Sequence, residues 1–362
     1  MKIDHVQIAN SIIESVGTGN MLATDSATWE WDGYKWWRIP AEEERYAVRD
    51  RIRQYTENPC SSEVDKVVEA IHAATAKANH KFNIGNPTTI SVENGEVSLG
   101  KTGIWTLYPH NREHYRTVEI PVTYDPTATA PRFEQFMREI FKGDADASEK
   151  TKAILEMMAY TLMTHTKHKR FIILLGNGAN GKSVLTHVLQ GLCGFENIAG
   201  VHPSVLSKLS MRARLHLKLA NFANVGRGKA LDGALIESFV SGEPMTVRHK
   251  FQKPFNMEPF ATLWFEANRM PKTQDHSDAL LRRTLVVPFN NAFKNEDSDW
   301  KLKAKLLREL PGILNLALAA YSNAVLNGFT TPDSCIAARA EWLSTPAQTS
   351  DRRPGTYETA SN

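Results

Sequence analysis

The chain has 362 residues, of which 42% are hydrophobic, and a formal net charge of +3. That length allows two or three domains, and so small a net charge excludes nucleic-acid binding by bulk charge, leaving only local basic patches for such contacts. Cys60, Cys193 and Cys335 are far apart, which argues against a disulfide framework or zinc ribbon and for a reducing cytosol. No apolar run approaches membrane-spanning length and residues 1–5 carry no signal-peptide pattern, so a cytoplasmic protein with no membrane partner is expected.

Residues 3–16 have helical apolar spacing (Ile3, Val6, Ile8, Ile12, Ile13, Val16), closed by Gly17. In residues 28–38 two aromatic runs flank Asp32-Gly33, a hairpin signal. Such aromatics either pack a small sheet or stack on bases, and packing is the expectation. Residues 41–80 read as two helices broken near Asn58-Pro59. A second hairpin is expected where residues 88–92 and 96–99 flank Glu93-Asn94-Gly95. Residues 116–124 alternate like a strand, and Asp125-Pro126 opens a turn-rich linker to about Pro131. From Phe133 to about Thr166 the pattern is helical. His165-Thr166-Lys167-His168-Lys169-Arg170 reads as a solvated basic segment before a buried strand.

That strand, Phe171-Ile172-Ile173-Leu174-Leu175, leads into Gly176-Asn177-Gly178-Ala179-Asn180-Gly181-Lys182-Ser183. The pattern G-x-x-x-x-G-K-S between a strand and an apolar-periodic helix is the phosphate-binding P-loop. Its glycines let backbone N–H groups turn toward phosphate oxygens, and the helix N-terminus adds partial positive charge. In this role Lys182 reaches the β- and γ-phosphates of ATP and Ser183 ligates Mg²⁺.

Downstream, residues 207–218 carry Lys208, Arg212, Arg214 and Lys218, and residues 217–225 read as a short strand with its exit. Residues 230–240 look helical. Residues 245–255 read as a β-hairpin with a positive tip, Arg248-His249-Lys250-Phe251-Gln252-Lys253. Residues 259–268 form a buried strand ending in Asn268. Ser277-Asp278-Ala279-Leu280-Leu281-Arg282-Arg283 precedes another strand at 284–289, residues 299–327 are helical, and the polar stretch after about Thr345 is expected to be disordered.

Several ordered features carry a family resemblance over roughly residues 20–345. They are the aromatic stretch at 28–38, Asn94-Gly95, Ile120-Pro121-Val122 with Tyr124-Asp125-Pro126, and the P-loop. After it come Ser241-Gly242-Glu243-Pro244, Ala267-Asn268, Leu281-Arg282-Arg283, Val287-Pro288-Phe289 and Leu310-Pro311-Gly312-Ile313-Leu314. The chain resembles the helicase part of the phage/plasmid primase–helicase family, within the superfamily 3 DNA helicases. The resemblance implies an α/β fold: an AAA+ P-loop ATPase core around a parallel sheet, a β-containing N-terminal domain and a helical C-terminal lid. The expected division is an N-terminal α+β domain at 1–130, a helical collar at 131–168, the core at 169–292, the lid at 293–345 and a tail at 346–362.

The resemblance also implies roles. Asn268 is the polar sensor that reads the γ-phosphate or orients the attacking water. Arg282 or Arg283 is the arginine finger given to a neighbouring subunit's ATP. Arg248, His249, Lys250 and Lys253 grip backbone phosphates of single-stranded or forked DNA, with Phe251 against a sugar or base. A hexameric ring, translocation driven by ATP hydrolysis, and replication of a phage, plasmid or mobile element in a bacterial host follow, with a separate primase or initiator as partner. Primase activity in this chain alone is not expected, since neither end has room for that domain.

Two positions depart from the family. The acid expected after the strand at 217–222 is Asn224 here, and no carboxylate lies between Leu215 and Ala230. The family's lysine on the next helix is Glu237. The expectation is that the missing carboxylate has moved to Glu237, with Asp232 the other acid nearby. The rival reading is a ring that binds ATP and DNA but hydrolyses poorly, acting as an initiator or loader.

Overall fold

The computed structural model describes residues 4–344, apart from 25–26, 55, 79, 226–230, 251–252, 274–276 and 294–298. The disordered-tail expectation at 346–362, Phe251, and the Ala230 start of the predicted helix lie outside the described residues.

The N-terminal part begins with helix α1 (His5–Val16), where Asp4 caps Val6 and Gln7 N–H groups and Gly17 ends the helix at φ 101°. An antiparallel sheet follows, β1 (Met21–Thr24), β2 (Ala27–Trp31) and β3 (Trp36–Ile39), turned at Asp32-Gly33 as expected. Trp29 and Trp36 are buried, with Trp36 stacked on Tyr115, so these aromatics pack the sheet. Helices α2 (Ala41–Ile52) and α3 (Ser61–Thr75) close a small core with Ile8, Val48, Val64 and Ile71.

A second antiparallel sheet comprises β4 (Thr89–Val92), β5 (Gly95–Leu99) and β6 (Trp105–Tyr108). The strand expected at 116–124 is absent; one isolated bridge joins Val92 to Ile120. The alternation there is real, because Val118, Ile120 and Val122 are buried. The segment buries alternate side chains as extended chain, and Pro121 has no N–H to offer a ladder.

The helical stretch after residue 131 divides into α4 (Pro131–Ile140) and α5 (Ala147–Thr161), separated by a turn through Gly143 at φ 91°. The basic run at 165–170 is only half solvated. Lys167 and Lys169 are exposed. His168 bonds the Tyr321 hydroxyl at 2.8 Å, and Arg170 lies over the Phe329 ring. Burial, helped by neighbouring positive charge, pulls His165 and His168 down to about 4.

The remaining strands are β7 (Phe171–Leu175), β8 (Ile198–Ala199), β9 (Ala220–Asn224), a hairpin of β10 (Met245–Val247) and β11 (Phe255–Met257), β12 (Thr262–Ala267) and β13 (Thr284–Pro288). Five of them form one parallel sheet in the order β13-β7-β12-β9-β8. Its central strands are nearly continuous apolar runs, as a sheet covered on both faces requires. The helices between them are α6 (Lys182–Cys193), α7 (Leu209–Arg212), α8 (Gly233–Val240) and α9 (Asp278–Arg283). The α/β architecture with a parallel sheet is therefore as expected.

The C-terminal helices are α10 (Leu302–Leu307), α11 (Leu310–Asn327) and α12 (Asp333–Ser344); the single predicted helix at 299–327 breaks before Leu310-Pro311. They pack back on the middle of the chain. Glu309 accepts the N–H groups of Arg132 and Phe133 at 3.1 and 2.8 Å, and so caps α4. Asn315 donates to the carbonyls of Asp125 and Ala128, Trp105 donates to Ser322, and Glu156 accepts from Thr330. Gly312 faces Thr129 so closely that a Cβ would sit 2.2 Å from its carbonyl. One large core joins residues of β4 and β5 to α4, α5, α6 and α11.

Candidate functional site

The site grows from the end of β7. Parallel strands direct their C-terminal ends to one edge, where ligands of open α/β sheets bind. The chain leaves β7 into the glycine loop, with Gly178, Ala179 and Gly181 at φ 103°, 47° and 87°. Gly181 is the N-cap of α6, and a Cβ there would lie 2.5 Å from the Ile140 side chain. Left-handed backbone and close approach together require glycine at 181. The loop ends at Lys182, which is 5% exposed. Its ammonium donates to the Gly176 carbonyl at 2.6 Å and to Asn180 Oδ1 at 2.9 Å. Burial lowers the Lys182 pKa, and the charge of Glu266 offsets part of that. The lysine is thus held at the loop by two neutral acceptors.

A cavity of ≈ 440 Å³ opens on this loop, walled by residues 178–184, Glu266, Asn268 and the α10 side. That volume is within the range of pockets for drug-sized ligands. Of the predicted phosphate-loop residues, Gly178 to Ser183 line it, and Gly176 and Asn177 lead into it. Asn268, exposed just past β12, is on the same wall. Sequence reasoning and geometry therefore bring Lys182, Ser183 and Asn268 together.

Asn224 ends β9 in an exposed position, and its register partner on β12 is Glu266. Glu237 is elsewhere. Its carboxylate accepts from Ser277 at 3.1 Å and pairs with Arg283 at 3.5 Å. It fastens α8 to α9, and it is not among the described residues that wall the cavity. The expectation that Glu237 replaces the missing acid is corrected on this ground. Asp232 is likewise engaged, as the N-cap of α8.

Among the described residues three acids wall the cavity: Glu139, Glu266 and Asp299. Glu139 is paired with Arg132 at 3.2 Å and Asp299 with Lys305 at 2.7 Å. Glu266 makes no ion pair among the described residues; its carboxylate accepts from the Thr186 hydroxyl at 2.6 Å. Sequence reasoning missed Glu266. Its signal was a charge inside the apolar run Leu263-Trp264-Phe265-Glu266-Ala267, two residues before the predicted sensor.

The two arginines separate clearly. Arg282 is exposed, with its Nε donating to the Asp278 carbonyl. Arg283 is half-buried, tied to Glu237 and to the Ser241 hydroxyl at 3.4 Å. The hairpin predicted around residue 250 is present, with Met245 paired to Met257 and Val247 to Phe255. Arg248, Lys250 and Lys253 are exposed at its tip. His249 instead stacks on Phe255 at 5.4 Å, with burial lowering its pKa.

Comparisons with known proteins find two family models, viral relatives at low identity and solved structures of similar fold. Residues 11–142 match the family model described as D5 N terminal like, and residues 174–283 match a family of unknown function (DUF5906). A protein of Acanthamoeba polyphaga mimivirus bearing the name "Putative helicase L207/L206" is 23% identical over 165 residues, 41% of this chain and 17% of that one. "Putative helicase V13" of Sputnik virophage is 25% identical over 234 residues, 56% of this chain and 30% of that one. The chain thus spans less than a third of these curated relatives. Among solved structures, the apo C-terminal region of NrS-1 is similar in fold, with a TM-score of 0.59 at 13% identity, covering 94% of this chain and 75% of that one. Among the described residues no helix is long and apolar enough to cross a membrane, and no cluster of His, Cys, Asp or Glu fits a metal site.

Proposed function

We propose that this chain is a member of the phage primase–helicase family and an ATP-driven DNA helicase subunit serving replication of a phage, plasmid or mobile element. The observation that carries the reading is the glycine loop with buried Lys182, opening on a cavity shared with Asn268. Backbone N–H groups and the α6 N-terminus would receive the phosphates, and Lys182 would exchange its neutral acceptors for a phosphate oxygen. Asn268 would orient the γ-phosphate or the attacking water. Hard cations take oxygen ligands, and the Ser183 hydroxyl on the cavity wall suits Mg²⁺, which would neutralise phosphate charge when bound with the nucleotide.

An AAA+ core of superfamily 3 type, working as a hexameric ring, is the assembly that gives the remaining residues a use. Arg282 is then the finger offered to the neighbouring subunit, since its charge is exposed while that of Arg283 is engaged with Glu237. Arg248, Lys250 and Lys253 would hold single-stranded DNA by its phosphates, without reading sequence and with affinity falling as salt rises. His249, stacked under the tip, would support the hairpin more than touch DNA. A second reading, an initiator or loader ring that binds ATP without turning it over, is favoured by Asn224 standing at the expected acid position.

Steady-state ATP hydrolysis with and without single-stranded DNA tests the proposal. DNA-stimulated turnover, abolished in Lys182→Ala, is expected. Native protein that binds DNA but neither binds nor hydrolyses ATP would refute it.

A further inference from the structure

We propose that Glu266 is the catalytic carboxylate of this site, so that the acid missing from β9 is supplied by the adjacent strand β12. The inference rests on the ATP-hydrolysis reading above and decides between it and the initiator reading. Three observations carry it. Glu266 and Asn224 are register partners on neighbouring parallel strands, so the family's acidic position and Glu266 lie side by side at the edge that faces the loop. Glu266 walls the same cavity as Lys182, Ser183 and Asn268. Of the three acids on that wall it alone lacks an ion pair among the described residues, which leaves its second oxygen available.

The local chemistry fits. A half-buried charge at the end of an apolar strand is costly unless it is hydrogen-bonded or used. Thr186, one turn into α6, supplies one hydrogen bond, at 2.6 Å, and fixes the carboxylate toward the loop. The remaining oxygen can accept the proton of a water. In the step proposed, the water oxygen bonds to the γ-phosphorus, and the bond from that phosphorus to the bridging β–γ oxygen breaks. The electron pair leaves with ADP, and the water's proton passes to the Glu266 carboxylate and then to solvent. The products are ADP and inorganic phosphate. Asn224, an amide, takes no proton and serves as a hydrogen-bond partner for the same water or for Glu266.

The test compares native protein with Glu266→Gln, Thr186→Val and the exchange variant Asn224→Glu/Glu266→Gln. Each is assayed for affinity toward a fluorescent non-hydrolysable ATP analogue and for DNA-stimulated turnover. Glutamine keeps the size of the side chain and a hydrogen-bond acceptor for Thr186. The expected result is analogue affinity within about threefold of native for Glu266→Gln, with turnover reduced about 100-fold or more. Thr186→Val should lose less than about tenfold, and the exchange variant should recover at least about tenfold over Glu266→Gln. Native-like turnover in Glu266→Gln, or equal losses in Glu266→Gln and Thr186→Val, would overturn the assignment while leaving the ATPase reading intact. Native protein that binds the analogue without turnover would overturn the assignment together with the hydrolysis reading, and the initiator reading would replace both.

Discussion

Lowering the pH from about 7 to 5 should weaken this protein through His165, and the size of the effect follows from its surroundings. The ring lies near Tyr160 and His168, both at 5.9 Å, and its Nδ1 accepts the Lys167 N–H. Burial first, then the charges of His168 and Lys167, pull its pKa from the usual 6.5 to about 4. The folded state therefore keeps this imidazole neutral where an unfolded chain would protonate it. For a histidine depressed in this way the stabilisation is fully present above about pH 6.5 and is lost as pH falls toward 4. Integrating the proton-binding difference over that interval gives about 2 kcal/mol lost by pH 5. His168 acts in the same direction, less strongly because it is more exposed to solvent. Urea unfolding at the two pH values, for native protein and for His165→Gln, isolates this contribution as a double difference. Carboxylates that also titrate in this range cancel between the two proteins. The native protein should lose about 2 kcal/mol more than the variant. A double difference below about 0.5 kcal/mol, at matching urea dependences, would show that His165 is not held neutral by the fold.

Three further outcomes follow from the packing. Gly312→Ala gains up to about 1 kcal/mol of helix propensity, yet the Cβ would strike the Thr129 carbonyl; a lower melting temperature is expected, and a higher one would mean that the linker yields freely. Lys150 is fully buried and donates to Asp144 at 2.8 Å and to the Pro288 carbonyl at 3.0 Å. Lys150→Met should cost about 3–5 kcal/mol in denaturant unfolding, because the Asp144 carboxylate loses its cation. Arg282→Ala should leave the melting temperature unchanged and, mixed with native subunits, depress turnover, whereas Arg283→Ala should lower stability by about 1 kcal/mol through loss of Glu237. Equal effects of the two changes on melting would contradict the separation of their roles.

The glycine loop was legible because its pattern is local: eight consecutive residues, a strand before and a helix after. The two hairpins were legible for the same reason, through Asp32-Gly33 and Asn94-Gly95. Glu266 was not, because it replaces Asn224 only through strand adjacency, and β9 and β12 are separated in sequence by helix α8 and the β10–β11 hairpin. Proximity along the chain points instead to Glu237, which is near in sequence but paired with Arg283. The alternation at 116–124 predicted burial correctly and pairing wrongly, since burial depends on the side chains and a ladder needs a partner strand. At 165–170 basic composition alone predicts a solvated run, yet only Lys167 and Lys169 face outward, while His165 packs near Tyr160 and His168 and Arg170 lie against Tyr321 and Phe329.

The fastening of the middle of the chain by its C-terminal helices has a consequence in time. Glu309 caps α4 across 176 residues of sequence, and Asn315 reaches the Asp125 carbonyl across 190. During synthesis at about 5–20 residues per second, α4 emerges with its first N–H groups uncapped and waits about 9–35 s for Glu309. Contacts of such span also make folding slow once the chain is complete. Through that interval the core shared by α4, α5 and α11 lacks one wall, and its apolar faces are open to other chains. Completion of this core is therefore timed by the arrival of α10 and α11, and its exposure to chaperones is written into the distance between α4 and the residue that caps it.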